Sequence, residues 1–319
     1  MSCNKKQEYY ETSGQVFKTG FHIKYKYRHD LGKEIEDCLK KVDISLNPFN
    51  PNSIIYKVNN NIEVEVDDIF ITVFKKAMEV AEESGGMYDI TCAPLVNFWG
   101  FGFERTCPVT ENLSNEVKKI IIDSIMQFVG YQKVRLIERR IIKDDPRIQL
   151  NASSIAKGYA CDLISNMMDL RNITDYMVEI GGEVRASGKN VTGKCWRIEI
   201  SKPIEDRTGR VNERLEVLEL CNHAIATSGN YRNYRLIGGK KYGHTINPLT
   251  GYPAEGNILS ASVIAADCMT ADAFATAFMV MDLNAAVDLA KRIGKMDFIF
   301  VYSNDQGDLN VLKSDSIKR

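Results

Sequence analysis

Three stretches of the chain carry side chains that could do chemistry together. In Ala271-Asp272-Ala273-Phe274-Ala275-Thr276-Ala277, a helical reading sets Asp272 and Thr276 four residues apart on one face. One carboxylate and one hydroxyl suit Mg²⁺, which takes few protein oxygens and leaves the rest of its octahedron to water and phosphate. The plainer alternative is a helix start, with Thr270 as N-cap and Asp272 as a first-turn acid. Gly243-His244-Thr245-Ile246-Asn247-Pro248-Leu249-Thr250-Gly251 puts one of four histidines beside a Pro and Gly turn. A neutral imidazole there could position or deprotonate a hydroxyl near pH 7, or could simply hydrogen-bond the turn. Ser153-Ser154-Ile155-Ala156-Lys157-Gly158-Tyr159-Ala160 reads as a strand giving way to a helix, whose free N–H groups attract phosphate or carboxylate. Lys157 could add a point charge, although a lysine in a first turn can equally be a solvated side chain. The G-x-x-x-x-G-K-[ST] spacing of a P-loop is absent.

Two Gly-centred segments, Thr227-Ser228-Gly229-Asn230-Tyr231-Arg232 and Gly181-Gly182-Glu183, read as turns where backbone could approach a ligand closely, or as ordinary tight turns. The run Tyr88-Asp89-Ile90-Thr91-Cys92-Ala93-Pro94-Leu95-Val96-Asn97-Phe98-Trp99-Gly100 sets an acid among aromatics, as a flat heteroaromatic pocket would. Burial of Trp99 in the core is the competing reading.

These segments need elements to hold them. Residues 1–14 are polar and read as frayed, whereas Phe21, Ile23, Tyr25 and Tyr27 alternate like a half-buried strand. Leu31, Ile35, Cys38, Leu39 and Val42 recur at helical spacing, and the Asn- and Pro-rich stretch Asn47 to Asn61 predicts a long loop that is a candidate functional segment. Helices are expected over Asp68–Ser84, ended by Gly85 and Gly86, over Asn115–Val129 and over Ile155–Leu170. Strands are expected after Tyr131 and at Tyr176–Ile180, Trp196–Ser201, Arg214–Leu220 and Ile258–Ala265. Strands in runs, with helices between only some of them, predict an α+β fold.

Composition narrows the partners. Lys plus Arg number 41 against 42 Asp plus Glu, so no global field favours nucleic acid or an anionic membrane. No apolar run approaches the roughly 20 residues of a membrane span. The eight cysteines are scattered and form no C-x-x-C pair, which argues against zinc and predicts small buried hydrophobes rather than a disulfide framework.

In their order and spacing, Pro51-Asn52-Ser53, the Tyr88 to Gly102 run, Val129-Gly130-Tyr131, the Ile155 to Asp162 run, Val178-Glu179-Ile180-Gly181-Gly182, Thr227-Ser228-Gly229, His244 to Pro253 and Ala271 to Ala277 resemble the ApbE family, the FAD:protein FMN transferases. The resemblance runs from near Asn47 to near Tyr302. It implies an α+β fold of mixed or antiparallel sheets flanked by helices, in two closely associated lobes, with residues 1–15 a polar tether and 16–319 one transferase domain. It also implies FAD as substrate, Mg²⁺ as metal, and transfer of FMN to a threonine hydroxyl of an acceptor flavoprotein subunit, with AMP leaving. Carried over by position, the metal oxygens are the Asp272 and Thr276 side chains and the Ser154 carbonyl. The flavin contacts are Leu46, Met87, Tyr88, Asp89, Asn151, Lys157 and Ile246, and His244 is the residue that handles the hydroxyl proton.

Two positions depart from the family pattern. Asn151 and Asn247 stand where acids are usual, and an amide can hydrogen-bond but cannot act as a base. That keeps two other readings in play, an FAD pyrophosphatase giving FMN and AMP and a non-catalytic FAD-binding protein. Many family members are exported lipoproteins, and Met1-Ser2-Cys3-Asn4-Lys5-Lys6 resembles a mature start behind a replaced signal segment. Cys3 would then be a lipid anchor and the enzyme would face the periplasm; the alternative is a cytoplasmic protein with a polar N-terminus.

Overall fold

In the computed structural model, which describes residues 8–104, 109, 113–204, 213–231 and 233–317, Phe21, Ile23, Tyr25 and Tyr27 all turn inward, as their alternation predicts. The strands are β1 (Glu8–Val16), β2 (Thr19–Tyr27), β3 (Val134–Ile137), β4 (Arg140–Lys143), β5 (Tyr176–Ile180), β6 (Glu183–Ser187), β7 (Trp196–Ser201), β8 (Arg214–Leu220), β9 (Ala224–Gly229), β10 (Tyr234–Ile237), β11 (Lys240–Gly243), β12 (Ile258–Ala265), β13 (Met296–Ser303) and β14 (Leu309–Lys313). The helices are α1 (Gly32–Leu46), α2 (Ile54–Asn59), α3 (Asp68–Glu83), α4 (Ala93–Phe98), α5 (Asn115–Met126), α6 (Ala156–Asp169), α7 (Cys268–Phe278) and α8 (Leu283–Ile293).

Eight strands form one sheet in the order β1-β2-β5-β6-β9-β12-β13-β14, every neighbouring pair antiparallel. The architecture is α+β, as expected. Three hairpins, β3–β4, β7–β8 and β10–β11, stand apart as two-stranded sheets. A principal core lies between the large sheet and its helices. A second cluster gathers Leu95, Phe98, Trp99, Ile122 and Ile246, and a third lies under β7–β8 around Trp196.

Four expectations need correcting. Residues 8–14 are not a tether, because Glu8–Val16 pairs along its whole length with β2, from Glu8 opposite Tyr27 to Val16 opposite Thr19. Tyr10 stacks on Tyr25 and Tyr9 meets Trp196 edge-on, so two aromatics anchor an otherwise polar strand. The predicted long loop contains α2, whose N-cap Ser53 accepts a hydrogen bond from Tyr56 N–H at 3.1 Å. The third helix stops at Met126, three residues short of Val129. Cys195 and Cys221 form a disulfide that joins the two ends of the β7–β8 hairpin, their Cα atoms 5.3 Å apart. Hairpin pairing brings these distant residues together, and local spacing does not report it. Cys92, Cys161 and Cys268 are the buried thiols anticipated.

Helix α7 organises the site. Its alanines 271, 273, 275 and 277 are all buried, together with Phe274 and Phe278, so it lies in the interior, with Asp272 and Thr276 on the face that lines a cavity. Asp267 caps it, accepting from Thr270 N–H at 2.8 Å, while Asp162 on α6 accepts from Cys268 and Met269 N–H, each at 2.8 Å. Thr270 is therefore not the N-cap, and Asp272 lies inside the helix, 2% exposed. The α6–α7 contact is close because residue 158 is glycine. A Cβ there would come within 2.4 Å of the Cys268 carbonyl oxygen and 2.8 Å of Asp272 Cβ. Gly158→Ala is expected to lower stability by about 1–3 kcal/mol, as overpacking does. The change should be read as a lower urea midpoint at unchanged slope; a native midpoint would mean that the helices separate freely.

Candidate active site

A cavity of about 420 Å³ opens where the principal core meets the Trp99 cluster. The β5–β6 turn, Gly181 at φ +65° and Gly182 at φ +104°, supplies one wall, with Glu183 beginning β6 directly after it. The start of α6 presents Ser154 and Lys157, α7 presents Asp272 and Thr276, and the segment after β11 presents His244 and Ile246. Met87, Tyr88, Asp89 and Asn151 line it as well. Of the carried-over positions only Leu46 is elsewhere. It lines an adjoining groove of about 280 Å³ that shares Phe49, Ser153 and Lys157 with the cavity.

The floor is charged. Lys157 Nζ lies 3.1 Å from Glu183 Oε1 and 3.7 Å from Asp272 Oδ1. Lys157 is thus no solvated first-turn lysine. Burial works against its charge, but the Asp272 and Glu183 carboxylates outweigh burial and hold the ammonium above its ordinary pKa. Burial pushes the Glu183 carboxyl above the ordinary carboxylate range, with Lys157 opposing. Its Oε2 is buried without a hydrogen-bond partner among the described residues. Two acids against one cation make a poor place for a pyrophosphate unless a further cation joins it.

The residues present fit such a cation. Gly158 N–H, one of the free amides in the first turn of α6, goes to Asp272 Oδ2 at 3.0 Å. Ser154 precedes the N-cap Ile155 and lines the cavity, so its carbonyl lies outside the helix ladder. Asp272 Oδ1 has Lys157 only beyond hydrogen-bonding distance, and Thr276 Oγ1 is 3.2 Å from Ser228 Oγ. These are hard oxygen donors, few in number, and no group of three His, Cys, Asp or Glu side chains suited to a metal exists among the described residues. The helix-start amide thus meets an acid of the protein itself, a feature the sequence does not display.

His244 is half-buried in the cavity wall, its ring packed by protein atoms and meeting Phe101 edge-on at 6.3 Å. Nδ1 faces the Asn233 carbonyl at 3.2 Å, and a carbonyl can only accept, so Nδ1 carries the proton and Nε2 keeps a lone pair. Burial lowers the imidazole pKa below its ordinary value, Lys157 adding to the effect and the Asn233 contact opposing it.

Several side chains are committed elsewhere. Asp89 accepts from Thr91 N–H and Oγ1–H, each at 2.7 Å, and from Tyr131 N–H at 2.8 Å, which makes its carboxylate a bracket between two turns. Asn151 Oδ1 accepts from Ser153 N–H at 3.0 Å, and Asn247 Oδ1 from Leu249 N–H at 2.9 Å. Both are Asx turns that a carboxylate would make equally well. Trp99 takes the core reading: it is 1% exposed, donates Nε1–H to the Gly251 carbonyl at 2.8 Å and stacks on Tyr242. Thr227–Gly229 ends strand β9 rather than forming a turn, Arg232 and Cys3 lie outside the described residues, and Tyr88, 2% exposed, accepts from Ser154 Oγ–H at 3.2 Å. Phe49 lines the cavity without a signal of its own, Ser228 comes from the Thr227-Ser228-Gly229 segment singled out in the sequence, and Glu183 was legible only as the residue after a Gly-Gly turn.

An imidazole on the wall, one cation among hard oxygens on the floor and phenyl rings nearby meet in one cavity on an antiparallel α+β scaffold. The chain belongs to the ApbE family, whose model matches residues 17–300. The FAD:protein FMN transferase of Haemophilus influenzae is 33% identical over 91% of this chain and 86% of its own length, and that of Vibrio cholerae is 32% identical over 96% and 91%. The solved flavin transferase ApbE of Vibrio cholerae superposes with a TM-score of 0.85 at 31% identity, over 98% of this chain and 99% of that one. The apo Pseudomonas stutzeri flavinyl transferase ApbE gives 0.83 at 28% identity, over 99% and 97%.

Proposed function

We propose that this chain transfers FMN from FAD to a threonine hydroxyl of an acceptor protein and releases AMP, with Mg²⁺ held by Asp272, Thr276 and the Ser154 carbonyl. The observation that carries the reading is one cavity lined both by His244, its Nε2 lone pair free, and by the Lys157, Asp272 and Thr276 floor. The names of the two curated relatives state the same transfer for those proteins. The threonine Oγ attacks the FMN phosphorus, the bond from that phosphorus to the bridging oxygen breaks, and AMP leaves with the bridging oxygen. His244 Nε2 takes the hydroxyl proton. Lys157 offers its N–H groups to the pyrophosphate oxygens, while Met87, Tyr88 and Ile246 provide apolar surface for the flavin. Bound Mg²⁺ would supply charge neutralisation at the pyrophosphate. The groove at Leu46 extends the space available to a ligand larger than the main cavity.

Asn151 and Asn247 do the turn-forming work of the acids they replace, which removes the main motive for a non-catalytic binder. The Cys195–Cys221 disulfide supports an oxidising compartment and so the exported reading. Incubation with FAD, Mg²⁺ and a candidate acceptor flavoprotein domain is expected to leave FMN covalently on an acceptor threonine, seen by peptide mass spectrometry, with AMP released in equal amount. Without acceptor, AMP release should be slow. Rapid release would assign a pyrophosphatase, and FAD intact in both arms would assign a binding protein.

A further inference from the structure

Glu183 is buried at 4% exposure, borders the cavity, and is used by no step above. Its Oε1 accepts from Lys157 Nζ at 3.1 Å, whereas the same ammonium stands 3.7 Å from Asp272 Oδ1. Asp272 has only that oxygen to offer a metal, since Oδ2 is taken by Gly158 N–H. An ammonium without another acceptor would close the remaining gap of about 1 Å to a charge-assisted hydrogen bond, within reach of a flexible lysine side chain, because a largely desolvated cation seeks the nearest anion. We propose that Glu183 is a positioning residue that holds Lys157 away from Asp272 and so keeps Asp272 Oδ1 open for the divalent cation. The role rests on the metal reading given above. It follows from two ion-pair distances on one ammonium and from the fixed positions of the elements that carry the three side chains. Lys157 is on α6, Asp272 on α7 and Glu183 at the start of β6, so none can relocate its backbone to compensate.

The test measures Mn²⁺ binding to the flavin-free protein by electron paramagnetic resonance of the unbound ion, which requires no turnover. Glu183→Gln and Glu183→Leu both remove the charge, but only Gln keeps an oxygen for Lys157. Glu183→Leu is expected to bind Mn²⁺ about tenfold more weakly than Glu183→Gln, in the range of other lost partners behind a metal ligand. In a Lys157→Met background the two variants should bind equally, because no ammonium remains to move. Equal binding by the two variants in the native background would overturn the role, as would a difference that survives Lys157→Met. Should Glu183→Leu fail to fold by circular dichroism, Glu183→Met offers the same loss of oxygen in a more adaptable side chain. A native protein whose Mn²⁺ binding is absent, or unchanged by Asp272→Asn, would instead remove the metal reading itself and this role with it.

Discussion

Asp272→Asn is expected to lower the transfer rate by about three orders of magnitude while the protein remains folded. A bound divalent ion supplies several kcal/mol of charge stabilisation in phosphoryl transfer, and each 1.36 kcal/mol is about tenfold in rate. The amide is the better probe than alanine because Asp272 has two roles. One oxygen accepts from Gly158 N–H at 3.0 Å, and truncation would leave that buried donor unpaired at a cost of about 1–3 kcal/mol. Asparagine keeps an acceptor for Gly158 and turns its NH₂ toward the position of Oδ1, where it repels a cation. FAD-dependent labelling of an acceptor, followed beside the thermal midpoint, separates the two roles. Undiminished labelling by Asp272→Asn would remove Asp272 from the metal site.

The second large effect belongs to His244. Its neutral form is the active one, since a protonated imidazole has no lone pair for the threonine proton. Burial depresses its pKa, so transfer should hold down to below the unperturbed value of about 6.5 and then fall as the pH drops further. The same shift has a sign for stability. With the folded-state pKa below the unfolded one, the unfolded chain binds more protons once the pH falls under about 6.5, so this contribution to stability is present above that pH and is lost through the lower folded pKa. His244→Asn should cost about two to four orders of magnitude in rate and abolish the acid limb, with FAD affinity nearly unchanged. If FAD binding, measured by flavin fluorescence, is lost instead, His244 holds the ligand and the proton leaves by another route.

The strands with clean alternation or β-branched runs were legible in the sequence. Tyr176–Ile180, Trp196–Ser201, Arg214–Leu220 and Ile258–Ala265 have the boundaries their side chains predict; the first, second and fourth bury one or both faces against a core, and Arg214–Leu220 pairs with Trp196–Ser201. The edge strand Glu8–Val16 was not, since its pairing rests on backbone hydrogen bonds to β2 that any polar sequence can make. Strands β6, β9 to β11, β13 and β14 and helices α4 and α8 also escaped. Among them, β10 and β11 are four-residue strands, too short for a period to emerge.

The sequence by itself determined the chemical types available: one imidazole beside a turn, a carboxylate and hydroxyl one helical turn apart, and a lysine at a helix start. Those follow from residue identity and the 3.6-residue period, both local properties. Only the tertiary structure decided their partners. Gly158 lets α6 and α7 touch, which directs Gly158 N–H to Asp272; the β5–β6 turn brings Glu183 to Lys157; and Asn233 fixes the tautomer of His244. The Gly158–Asp272 and Lys157–Glu183 contacts join different elements packed on the large sheet, and the Asn233–His244 contact joins the two ends of the β10–β11 hairpin. No local pattern of side chains encodes a distance of that kind.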